Sequence, residues 1–173
     1  MLLLLFRLKL MNVYFLRHGQ SLFNFDPSND LIDCSLTELG IKQSTDIHFQ
    51  SFPQHYSLVL CSPLSRCIQT LEYSNITFDS MEINHLFREI QSGCRSDLLN
   101  ENESISIDTE QQIQQRIDQI HDYLFQIKDK FQGENLLIVS HADLIWHLTA
   151  KEIQGELFGT WLNNAELLHW KLC

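Results

Sequence analysis

Short, evenly apolar runs alternate with helical patterns along this chain of 173 residues. Residues 13–16 (VYFL), 57–61 (SLVLC) and 135–139 (NLLIV) are the strongest runs. Each is too short for a helix and too uniformly apolar for a strand with one wet face, so each predicts a strand buried on both sides. Residues 81–86 predict a weaker fourth strand, and residues 165–172 alternate enough for a closing edge strand. Between them, Ser35 and Glu38 have capping-box spacing and predict a helix to about Phe49. Ser62 and Pro63 place a cap and a first-turn proline before a helix to about Tyr73. A helix from Asp108 carries Ile113, Ile117, Ile120, Leu124, Ile127 and Phe131 on one stripe and ends near Gly133. A last helix runs from His141 to about Gln154, with Gly155 as its stop. The polar stretch 91–107 has no period and predicts a loop or small lid. The order of elements predicts an α/β fold: three layers, α/β/α, with a mostly parallel central sheet flanked by helices and an antiparallel edge strand.

No stretch is long enough to be a linker, and the length suits one domain spanning residues 11–173, with a short lid within 91–133. Residues 1–10 (MLLLLFRLKL) read as an N-terminal extension. Their apolar run is too short for a membrane span, and Met11 stands just before the first strand, where a native start would fall.

Composition narrows the partners. A formal charge of -10 repels nucleic acid and anionic membranes, so neither is expected. The five cysteines are odd in number and form no C-x-x-C pair, which suits free thiols in a reducing cytoplasm. Phosphate chemistry on such a chain needs a local cluster of positive charge.

The strand ends supply one. The first strong run leads into Arg17 and His18, the second into Ser62 and Arg66, the third into Ser140, His141 and Ala142; the weak strand delivers Arg88 and Glu89. Ligands in open α/β sheets bind beyond the carboxyl ends of the strands. Parallel neighbours would therefore bring Arg17, His18, Arg66 and His141 to one crevice. Two guanidinium forks and a protonated histidine would neutralise a phosphoryl group and its transition state, and a neutral imidazole can attack phosphorus. Glu89 is the candidate proton donor, and no metal or cofactor is required. Singly, each of these residues reads as an ordinary strand-end or capping feature; their coincidence at strands of one class is what points to a site.

At these positions the chain resembles the histidine phosphatase superfamily, the branch with the cofactor-dependent phosphoglycerate mutases. Its signature stands here as Arg17, His18, Gly19, Gln20 and Ser21, with Asn24 three residues on. Further elements stand as Leu36, Thr37, Gly40 and Gln43, as SPLSRCIQT at 62–70, as Leu86 to Glu89 (LFRE), as Val139, Ser140 and His141, and as Asn164 and Ala165. The resemblance spans roughly residues 12–170. It implies a phosphoglycerate mutase-like fold, His18 as the phosphorylated nucleophile, and Arg17, Arg66 and His141 as the phosphate pocket. Ser21 and Asn24 would add contacts, Ala142 stands where a Gly is usual, and Glu89 would donate the proton.

The resemblance fails after Glu89. Ser92, Gly93, Cys94, Arg95, Ser96 and Asp97 replace the usual Gly-Asp-Trp-Glu-Gly, and the segment lacks paired arginines that would grip a phosphoglycerate. A metal-independent phosphatase acting on a phosphorylated small molecule or phosphoprotein is therefore expected ahead of a mutase, a protein-phosphohistidine phosphatase or a non-catalytic phosphate-binding module.

Overall fold

The computed structural model describes residues 11–47 and 51–171. The extension at 1–10 and the proposed end of the first long helix at Phe49 lie outside them. In chain order the elements are β1 (Asn12–Arg17), α1 (Leu22–Phe25), α2 (Glu38–Thr45), β2 (His55–Cys61), α3 (Ser65–Tyr73), β3 (Thr77–Ile83), α4 (Glu110–Ile127), β4 (Asn135–Ser140), α5 (Ala142–Thr149), β5 (Lys151–Ile153), β6 (Glu156–Phe158) and β7 (Leu167–Trp170). Two 3-10 turns, His85–Phe87 and Arg95–Asp97, lie between β3 and α4.

The central sheet has the order β3-β2-β4-β1-β7. β1, β2, β3 and β4 are parallel, and β7 closes the edge antiparallel to β1. The sheet is thus mostly parallel, with helices on both faces, as the hydrophobic pattern predicts. Alternate residues feed two cores. Val13, Phe15, Leu60, Leu136 and Ile138 pack against Ile117, Ile120 and Leu124 of α4 and Leu144 and Leu148 of α5. Tyr14, Leu16, Val59, Cys61, Leu137 and Val139 pack on the other face with Cys67 and Leu71 of α3. Because β4 is inserted between β2 and β1, the carboxyl ends of these three strands lie side by side, and the site opens there.

Several boundaries differ from the sequence reading, three of them because the presumed cap has another partner. Ser35 does not cap α2. Leu36 bridges to Ser21 and donates its N–H to Gln69 Oε1 at 2.8 Å, so the helix waits for Thr37, whose side chain caps it. Ser62 does not cap α3 either. Asp33 does so from an adjoining loop, accepting from the N–H and hydroxyl of Ser65 at 2.6 Å each. Thr109, not Asp108, caps α4 in a capping box with Gln112. The weak fourth strand lies upstream of its expected place: β3 is exposed throughout, and Asn84 ends it by capping the turn that follows. Finally, α5 stops at Thr149. Gln154 and Gly155, with φ of 55° and 85°, form the two-residue turn of the hairpin β5–β6 instead of a helix end.

Candidate active site

The loop after β1 is built by close backbone approach. A Cβ on Gly19 would stand 2.5 Å from the Gly40 carbonyl oxygen, and one on Gly40 would stand 2.1 Å from that of Gln20. Only glycine at both positions lets α2 seat against the loop. The loop is then clamped from each side. Gly19 N–H donates to Thr70 Oγ1 at 2.9 Å, and Gln20 N–H to Gln43 Oε1 at 2.8 Å. Asn164 Nδ2 donates to the His18 carbonyl at 3.1 Å, and the Ala165 N–H to the carbonyls of Arg17 and His18. Residues whose spacing alone carried no chemistry thus hold the backbone of His18 in place.

The His18 ring is buried. Its Nδ1 lies 2.7 Å from the Gly19 carbonyl, which accepts only if Nδ1 carries the proton. Nε2 is left as the ring's basic nitrogen. Burial, with Arg66 and Arg17 adding repulsion, holds its pKa well below the usual histidine value, so the ring is neutral.

Arg66 lies on the first turn of α3 and is also buried. Its Nε donates to His141 Nδ1 at 3.3 Å, Nη1 to the Ser96 carbonyl at 2.6 Å, and Nη2 to Asp97 Oδ1 at 2.8 Å. Asp97 gave no signal in the sequence, because it lies in the segment without period and meets Arg66 only in the fold. Arg17 donates through Nη1 to the Leu162 carbonyl at 2.7 Å, while its buried Nε has no hydrogen-bond partner among the described residues. The guanidinium group therefore brings a positive charge to this crevice with few partners of its own.

His141 is fully buried against Arg66, with its ring centroid 5.1 Å from that of His18, and it is not among the residues that line the hollow of the site. Nδ1 accepts from Arg66, so Nε2 carries the proton and donates to Ser62 Oγ at 2.8 Å. Burial first, then Arg66, His18 and Arg17, push its pKa well below the usual value. The histidine expected from sequence to be protonated is therefore neutral.

Glu89 follows the turn at the end of β3. Its Oε1 accepts from its neighbour Ile90 N–H at 3.0 Å and from Leu144 N–H in the first turn of α5 at 3.2 Å. Burial raises its pKa against the opposing pull of Arg66, up to about 7. The carboxyl is therefore divided between acid and base near neutral pH.

Arg17, His18, Ser21, Asn24, Arg66, Glu89 and Ala142 all line one hollow of about 170 Å³. His141 does not. Ser21 and Asn24 also cap α1 reciprocally, and Asn24 Oδ1 accepts from Asn164. Phe23, Ser92, Asp97, Asp143 and Trp161 complete the lining; Ser92 and Asp97 belong to the segment where the resemblance fails, and none of the five was a candidate site residue from sequence. Larger hollows lie elsewhere, one of about 710 Å³ between α4, α5 and β6, but they contain none of these groups.

The model of the histidine phosphatase superfamily (branch 1) matches residues 13–168. The chain belongs to this superfamily. No curated protein matches it. Among solved structures, phosphoglycerate mutase from Thermus thermophilus is similar at 16% identity and a TM-score of 0.62, with 92% of each chain covered. Phosphoglycerate mutase from Bacillus anthracis is similar at 21% identity and a TM-score of 0.55, covering 82% of this chain and 79% of that one. Phosphoserine phosphatase from Entamoeba histolytica, in complex with 3-phosphoglyceric acid, is similar at 16% identity and 0.52, covering 79% and 77%. At these identities the likeness establishes the histidine phosphatase fold. No helix among the described residues is long and apolar enough to cross a membrane.

Proposed function

We propose that this chain hydrolyses phosphate monoesters through a phosphohistidine formed on His18. The observation that carries the reading is the fixed tautomer of His18: neutral, with Nδ1–H bound to Gly19 and Nε2 basic. Nε2 attacks phosphorus, the ester P–O bond breaks, and the leaving oxygen takes the proton from Glu89. The ring gains positive charge as the N–P bond forms, and the Gly19 carbonyl stabilises it through Nδ1–H. Water then attacks phosphorus, Glu89 takes back a proton, the N–P bond breaks, and inorganic phosphate leaves with His18 neutral again. Arg17 supplies its charge and the Nη N–H groups that Leu162 leaves unused. Arg66 has two of five N–H groups beyond its present partners for the equatorial oxygens. His141 acts through Arg66, and a bound dianion would raise its pKa and restore a charge there. The two guanidinium groups supply the charge that a metal ion would otherwise provide.

Hydrolysis is favoured over mutase transfer because Glu89, Asp97 and Asp143 share the hollow and oppose the carboxylate of a phosphoglycerate. Turnover of p-nitrophenyl phosphate tests the reading. The wild-type protein releases phosphate, is indifferent to chelators and is inhibited by vanadate, which mimics five-coordinate phosphorus. Tight phosphate binding with no turnover of any ester would instead mark a binding module.

A further inference from the structure

Five charged side chains line the hollow: Arg17 and Arg66 against Glu89, Asp97 and Asp143. Asp97 is paired with Arg66, and Glu89, whose Oε1 accepts from two backbone N–H groups, is committed to proton transfer in the hydrolase reading. Asp143, on the first turn of α5, has no ion pair or hydrogen bond from its side chain among the described residues, yet it lines the hollow. The same lining holds two aromatic residues, Phe23 and Trp161, and Trp161 is 56% exposed. The Trp161 ring already meets a cation within the site: the Arg17 guanidinium carbon lies 5.7 Å from its centroid. Asp143 acts on Arg17 electrostatically without a direct contact, and a carboxylate with no hydrogen bond of its own in a lining that also holds aromatic rings is the chemistry that binds an organic cation. A first-turn acid also interacts favourably with the helix dipole, so the test must separate the two roles.

We propose that the hollow is built for phosphate esters whose leaving group carries an ammonium or similar organic cation, recognised by Asp143 with Phe23 and Trp161. This rests on the hydrolase reading above. Arg17 and Arg66 take the phosphoryl group, while the leaving group extends toward Asp143. A carboxylate-bearing leaving group meets the same carboxylate and is rejected.

Three esters of nearly equal size decide it: phosphoethanolamine, ethyl phosphate and phosphoglycolate. The wild-type protein should prefer them in that order by kcat/KM, with about tenfold between the first two. Because an ammonium also makes a better leaving group, the decisive quantity is the ratio in variants. Asp143→Asn should lower the ratio of phosphoethanolamine to ethyl phosphate about tenfold. Asp143→Glu should preserve much of it, and Asp143→Lys should shift preference to phosphoglycolate. An unchanged ratio in both Asp143→Asn and Asp143→Lys overturns the proposal, as does a wild-type preference for phosphoglycolate. If p-nitrophenyl phosphate is hydrolysed while the three esters are not ranked this way, only this inference falls. If no ester is hydrolysed at all, the hydrolase reading falls and this one with it.

Discussion

The hollow has two walls held in contrasting ways. The wall after β1, carrying Arg17, His18, Ser21 and Asn24, is fixed by glycine contacts and by uncharged hydrogen bonds to its backbone from Thr70, Gln43, Asn164 and Ala165. The facing wall, residues 91–108, is fixed chiefly by charge. Asp97 pairs with Arg66, Glu103 with Arg88, and Asp108 with Arg116, while Asp30 accepts from the N–H groups of Arg95 and Ser96. The first wall holds His18, the proposed nucleophile, and side chains on α2 and α3 clamp its backbone. The second wall contributes Ser92 and Asp97 to the lining, and charge pairs hold it to the scaffold.

Mutations should separate the walls. The largest effect is expected for Arg66→Ala, which serves both: turnover falls at least ~10²-fold for the lost charge stabiliser, and removing one partner of a buried pair costs about 3–5 kcal/mol in urea unfolding. A change under tenfold in turnover would contradict the phosphate role. Next is Glu89→Gln. With its pKa about 7, wild-type kcat/KM should fall as pH rises through that value while the acid is lost. The variant should lose roughly 10²-fold or more and show no such limb. The sign for stability follows the same group: its folded pKa exceeds its ordinary 4.5, so its contribution is complete below that value and disappears as pH rises through about 7.

On the uncharged wall, Thr70→Val should leave the buried Gly19 N–H without an acceptor, costing about 1–3 kcal/mol of stability. The turnover number should fall more than KM changes, and an unaltered kcat would show that this clamp does not position His18. The smallest effect belongs to Glu103→Gln. Hydrogen bonding to Arg88 holds the Glu103 carboxyl below its ordinary pKa, so the pairing is intact above that range and fades as pH falls through it. The pair is partly exposed, and thermal melts should move by less than about 1 kcal/mol, with the difference screened by salt.

The same division explains what the sequence made legible. β1, β2 and β4 were visible because strands buried on both faces leave unbroken apolar runs, and their ends carried Arg17, His18, Arg66 and His141. β3 was misplaced because a fully exposed strand leaves neither a run nor a clean alternation. Ser62 looked like a cap because Ser-Pro is a helix-start pattern; nothing local signals that its hydroxyl meets His141, 79 residues away. Asp97 was invisible for the same reason, its partner lying 31 residues distant. The end of β4 brings His141 against Arg66 and His18, but a strand-end pattern does not tell a lining residue from a buried one.

The central claim concerns one nitrogen, Nε2 of His18, and rapid-quench trapping tests it most directly. Mixing the protein with a ³²P-labelled ester and quenching in alkali should capture label bound to protein, stable to alkali and lost in acid, with peptide mapping placing it on His18. Turnover of the ester without such a species, or with full activity retained in His18→Ala, would contradict the account.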